Sequence, residues 1–282
     1  MPRNPERRDG GGRFARRSVL SQSARVFDDP GGPTVNINHP DVIQRESRRI
    51  IDAYLANPDG HIPWSDRWRV GTVARHVAGT HHVVAQVIAG RPDADFGLFA
   101  ALVSPEKNDP SFPDWFAQGT AQLLAELGSV EPGLACWNFH DGREGQVGFW
   151  ARRMMHESIV HRWDAQMGAF GTADPIESDT AADGIDEFLE VFVDITRSQA
   201  NSPPGPNILI ETGDSSASWT VGLSAGGRTV RRGTDDAEIQ VRGNASDILL
   251  ILWGRVAELP DSVEVVGLVG DSTALAALLP SL

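Results

Sequence analysis

The run His156-Glu157-Ser158-Ile159-Val160-His161 concentrates side chains that can bind a metal ion or carry a proton. It is one residue too long for the helical arrangement in which two histidines four apart clasp zinc. At about 100° per residue, His156 and His161 stand roughly 140° apart on a helix, whereas Glu157 and His161 stand only about 40° apart. Glu157 and His161 are therefore the natural ligand pair, and His156 faces elsewhere. A catalytic zinc commonly takes three protein donors and leaves one position open, so a third ligand must come from another helix, with His76 the leading candidate. Taken alone, a Glu and a His at this spacing more often describe a solvated or ion-paired helix face than a metal site.

The elements that must position these residues follow from apolar periodicity. Val42, Ile43, Ile50, Ile51 and Tyr54 predict a first helix over Asp41–Asn57, closed by Pro58 and Gly60. A second starts near Trp68 and carries Val70, Val73, Val77, Val84 and Ile88 until Gly90 and Pro92, with His76 beside its apolar stripe. A third spans Pro113–Leu127 and a fourth Val147–Met167; together the four predict a helical bundle. A fifth, Ser178–Arg197, leads out of it. After Asn201-Ser202-Pro203-Pro204-Gly205-Pro206 the helical period gives way to short runs rich in Ile, Val and Thr. Asn207–Glu211, Ser218–Leu223, Arg228–Arg231 and Glu238–Arg242 read as strands of a small antiparallel sheet with a turn at Gly226-Gly227. Helices at Asp247–Arg255 and Ser272–Leu279, with a strand at Val263–Val266 between them, complete an α+β unit. The expected organisation is thus a basic, disordered extension over 1–36, a metal-binding bundle over 37–200 and a small α+β domain over 201–282.

Composition narrows the partners. The chain of 282 residues is 40% hydrophobic and 22% charged, enough to bury a core over most of its length. A formal charge of −13 argues against nucleic acid and anionic membrane, which both require a basic surface, and leaves small molecules as the expected ligands. No run reaches the roughly 18 to 20 apolar residues of a membrane-spanning helix. Arg16-Arg17 is followed by Ser21, Gln22, Ser23 and Arg25 instead of the apolar stretch of an export signal, so the chain reads as soluble and cytoplasmic. Residues 1–36 hold seven arginines against four acids and show no core-facing pattern.

The remaining reactive side chains have plain structural readings. Cys136 is the only cysteine, so it forms no intramolecular disulfide, and it reads as a small packed residue beside Trp137. His81 falls on the apolar face of the second helix and reads as a hydrogen-bonded interior histidine. His39, His61, His82 and His140 read as surface or loop residues, and Trp68, Trp150 and Trp163 as core.

Two stretches resemble the mycothiol-dependent maleylpyruvate isomerase family, itself related to DinB-like four-helix bundles. The first is Trp64-Ser65-Asp66-Arg67-Trp68-Arg69-Val70-Gly71-Thr72-Val73-Ala74-Arg75-His76, with its metal-binding histidine eight positions after Trp68. The second is Arg152-Arg153-Met154-Met155-His156-Glu157-Ser158-Ile159-Val160-His161-Arg162-Trp163-Asp164, close to the family signature almost residue for residue. A weaker match, Val241-Arg242-Gly243 through Trp253-Gly254-Arg255, is similar to the family's sterol-carrier-like C-terminal domain. The resemblance spans roughly residues 38–282 and implies His76, Glu157 and His161 as zinc ligands. It implies further that zinc activates an external thiol, mycothiol or a similar small molecule, which adds to a conjugated dioxo acid and leaves after cis–trans isomerisation. An arginine must then hold the substrate carboxylates, with Arg255 first and Arg242 second, although either also reads as a surface or helix-end residue. Asp164 either stands behind a ligand histidine and orients it or pairs with Arg152 or Arg153. A mycothiol S-transferase that consumes the thiol would share these ligands; a non-catalytic module binding a small apolar ligand would need neither metal nor thiol.

Overall fold

The computed structural model describes residues 37–95, 97–106, 109–192, 205–224, 227–256 and 258–267. The expected disordered extension over 1–36, the turn residue Gly226 and the expected helix over Ser272–Leu279 lie outside the described residues.

Four long helices build the N-terminal half, as the periodicity predicts. Helix α1 is His39–Ala56, entered through Asn38, whose side chain accepts from the backbone N–H of Asp41, with Pro40 in the first turn. Helix α2 is Val70–Gly90; a short α3, Gly97–Ala101, follows; α4 is Phe112–Ser129 and α5 is Val147–Phe170. Gly171 ends α5 with φ +72°, the left-handed conformation that stops a helix where a Cβ would be strained. The central pair is α2 and α5, with α1 against α5 and α4 against α2.

The loop before α2 is pinned rather than slack. The N–H of Val70 donates to Gly60 O at 3.0 Å and that of Gly71 to Pro58 O at 2.7 Å. Gly60 lies so close to α5 that a Cβ there would stand 2.1 Å from Gly168 O. This tether carries Trp64 and Trp68 over the bundle.

Helix α6, Ser178–Glu187, continues into a wider π-helical turn, Phe188–Phe192. Five strands follow: β1 Ile208–Thr212, β2 Ser218–Ser224, β3 Gly227–Arg232, β4 Ile239–Gly243 and β5 Glu264–Gly267, with α7, Ala245–Leu252, between the last two. The sheet order is β3-β2-β1-β4-β5. The expectation of an antiparallel sheet needs one correction: β1 and β4 pair in parallel, Ile208 opposite Ile239 and Ile210 opposite Val241, and the other three pairs are antiparallel. Alternation of apolar residues specifies which face a strand buries and not its direction, which here is set by the chain returning from β3 to the starting end of β1. Ile208, Ile210, Val221, Ile239 and Val241 join Leu249, Ile185, Phe188, Trp150 and Met155 in one hydrophobic cluster that runs from the sheet into the bundle. A smaller cluster around Ile50, Val73, Val77 and Phe116 fills the opposite end.

Helix α2 is buried on more than one face, which corrects the surface reading of His82. Its ring stacks on Trp115 at 4.5 Å, with Nε2 bonded to Trp115 O at 2.9 Å. His81 is wholly buried, as its place in the apolar stripe implies, and bonds Thr120 Oγ1 at 3.1 Å and Ser158 Oγ at 3.2 Å.

Burial lowers the His81 pKa to about 4, against a weaker opposing pull from Glu157. Between its unfolded value near 6.5 and about 4 the unfolded chain binds the extra proton, so stability falls as pH drops through that window. The wild type should lose about 2 kcal/mol through His81 between pH 7 and pH 5, a loss absent from His81→Gln. Urea unfolding of both proteins at both pH values measures the difference; equal losses would show that His81 does not carry it.

Candidate metal centre

Glu157 and His161 lie one turn apart on α5, and His76 faces them from α2. Nε2 of His76 is 2.7 Å from Oε1 of Glu157, and Nε2 of His161 is 3.2 Å from the same oxygen. One donor atom from each residue falls within 4.8 Å of the others, the only such group of three among the described residues. His156 points away, as the helical angle requires, and its Nε2 is 2.6 Å from Asp183 of α6.

Two of the three ligand candidates, His161 and Glu157, are held from behind. His161 Nδ1 bonds Asp164 Oδ2 at 2.8 Å, which leaves Nε2 as the nitrogen facing Glu157. Asp164 in turn accepts both Nε and an Nη of Arg255, each at 3.1 Å. Oε2 of Glu157 accepts from Arg153 at 3.0 Å, and the other arm of Arg153 pairs with Glu187 at the end of α6. Trp68 closes one side: its ring stacks on His161 at 5.8 Å and meets His76 edge-on at 5.3 Å. Trp64 lies beside it, packed on Trp163 at 5.0 Å and under the Arg255 guanidinium at 5.8 Å.

The electrostatics describe a cluster that wants a cation. Burial disfavours charge on His161, but the Glu157 carboxylate and the hydrogen bond to Asp164 outweigh it and hold the imidazole up to about 9. Burial likewise opposes charge on Glu157, yet His161 and His76 keep its carboxyl well below the usual range. Such a group is neutralised by a proton or by a divalent ion that displaces it. Two imidazoles and one carboxylate, with the far nitrogen of one imidazole bonded to a carboxylate, are the donors and backing groups that zinc takes with a position left free. The residues therefore fit a zinc ion.

The sequence-derived residues separate cleanly. His76, Glu157, His161, Asp164 and Arg255 come together, and Asp164 pairs with Arg255 instead of Arg152 or Arg153. Arg242 stands on the exposed side of the sheet, paired with Glu211 at 2.6 Å. Trp150 is core, but Trp68 flanks the histidines, a role the sequence reading missed because the residue lies just outside α2. Arg153 was also missed, although its place four residues before Glu157 carried the signal. Cys136 is fully buried beside Trp137, and burial pushes its thiol pKa up.

A family model described as the mycothiol maleylpyruvate isomerase N-terminal domain matches residues 45–166, and one described as the MDMPI C-terminal domain matches residues 179–277. The second match thus takes in α6. Among solved structures, the crystal structure of the mycothiol-dependent maleylpyruvate isomerase aligns with 13% identity and a TM-score of 0.54, covering 80% of this chain and 91% of that one. A His-to-Ala variant of it aligns with 12% identity and a TM-score of 0.55 over the same shares. At such identity the likeness is one of fold. No curated protein matches the chain.

The two arginines weighed for one role sit in opposite settings. Arg255→Met leaves the buried Asp164 with His161 alone and should cost about 3 to 5 kcal/mol. Arg242→Met removes an exposed pair and should cost under about 1 kcal/mol. Chemical denaturation of the two variants beside the wild type compares them, and an equal, small cost would refute the buried pairing of Arg255.

Proposed function

Because the chain belongs to the mycothiol-dependent maleylpyruvate isomerase family, we propose that it is a zinc- and thiol-dependent isomerase of a conjugated dioxo acid. The observation that carries the proposal is the convergence of one donor atom each from His76, Glu157 and His161 within 4.8 Å. These three residues would hold the ion. Bound there, zinc would supply acidification of an incoming thiol, whose addition to the conjugated double bond leaves a single bond free to rotate and whose departure gives the trans isomer.

The other residues support that chemistry. Asp164 fixes the orientation of His161, and Arg255 fixes Asp164. Trp68 covers one flank of the histidines, while the half-exposed His76 leaves the cluster accessible to ligands. The sulfur must come from outside, because Cys136 is buried against the backbone carbonyls of Val87 and Trp137 and burial pushes its thiol pKa up. The bidentate commitment of Arg255 to Asp164 makes it a residue that acts through His161 unless substrate carboxylates displace that pair.

The purified protein should carry one zinc per chain. Glu157→Ala should lose zinc and turnover together, whereas Cys136→Ala should keep both. Elemental analysis, followed by assays of maleylpyruvate with mycothiol, glutathione or no thiol, tests the proposal. Turnover with thiol recovered supports isomerisation, and thiol consumed by an electrophile would instead identify an S-transferase. Absence of stoichiometric metal after zinc addition would overturn the zinc reading and favour a ligand-binding module.

A further inference from the structure

Glu157 uses its two oxygens unequally. Oε1 faces both histidines, and Oε2 is taken by Arg153. Arg153 is itself immobilised: its side chain is 4% exposed, and its second arm pairs with Glu187, whose side chain is 3% exposed. Its guanidinium lies 4.9 Å from the centre of the Phe192 ring and 5.6 Å from that of Trp253. Those partners come from the end of α6, the π-helical turn and the residue that follows α7, so Arg153 is fixed by the C-terminal half while it reaches one turn along α5.

We propose that Arg153 is a positioning residue that restricts Glu157 to one ligating oxygen and thereby keeps a side of the metal centre free for sulfur. The inference rests on the metal-centre reading above. A glutamate with both oxygens free can bind a metal through one or both, and two-oxygen binding would fill the position that a thiol needs. Charge balance alone does not explain the arrangement, since Glu157 already faces two imidazoles, and the guanidinium neutralises the more deeply buried Glu187. What Arg153 adds is direction. Its planar fork can serve two carboxylates along fixed lines, whereas a lysine is a point charge on a flexible stem.

The test uses the full chain and its Glu187→Gln, Arg153→Lys and Arg153→Met variants. Each is loaded with zinc, with affinity measured by chelator competition, and separately with Co²⁺, whose visible absorption reports the number of ligands. Arg153→Met should weaken zinc binding by about 10- to 100-fold, the usual effect of losing a group behind a ligand. Its cobalt bands should lose intensity as the second oxygen joins. Arg153→Lys should recover part of the affinity without restoring the spectrum, and Glu187→Gln should shift both readings the same way by less. Wild-type affinity and spectrum in a folded Arg153→Met protein would overturn the proposal. If circular dichroism shows that variant unfolded, unchanged spectra in both Arg153→Lys and Glu187→Gln would overturn it instead. Failure of the wild type to bind either metal would overturn the metal reading itself, a result separable from wild-type binding that the substitutions leave unchanged.

Discussion

A carboxylate charge placed inside a helical bundle must be answered by cations and donors, and Glu157 sets that demand for the whole molecule. The answer comes from two imidazoles and one guanidinium drawn from α2 and α5, and the guanidinium then needs its own buried carboxylate, Glu187 on α6. The same logic repeats along α5. Arg152 pairs with Asp183, Asp186 and Glu190, Arg162 with Glu46 of α1, and Asp164 with Arg255. Helix α5 consequently lacks one polar face and one apolar face; its sides meet different elements, and each of these charged residues has a partner on one of them.

These pairs do more for geometry than for net stability. Removing two charges from water costs several kcal/mol per ion, and their attraction recovers this only where every remaining donor and acceptor is matched. Asp186 illustrates the matching: it accepts from Trp219 Nε1 on β2, from Arg232 on β3 and from Arg152 on α5. The sheet is thereby registered against the helix that carries Glu157 and His161. The hydrophobic cluster shared by sheet and bundle supplies the cohesion, and the polar knot fixes where the parts stop sliding.

The parts of this arrangement legible in the sequence are those governed by local period. The helical spacing of Val42 to Tyr54 and Val70 to Ile88 places α1 and α2 within a few residues, and 100° arithmetic selects Glu157 with His161 over His156. Distances between elements are not local, and there the reading fails. Nothing in the composition of β1 and β4 states that they run in parallel. His82 looks polar and peripheral until α4 is laid against it, and Trp68 looks like core until the loop pinned at Gly60 folds its ring onto the histidines. For Asp164, orientation of His161 agrees with the structure, but the arginine that answers it lies 91 residues away, beyond the reach of any spacing rule.

That separation also has a temporal meaning. On a ribosome adding about 5 to 20 residues per second, Arg255 is made roughly 5 to 20 s after Asp164. During this interval the nascent bundle already contains His76, Glu157 and His161, but Asp164 lacks its guanidinium and Arg153 lacks the Trp253 ring. The three candidate ligands are thus all synthesised before the residues that brace Asp164 and Arg153 from the C-terminal half.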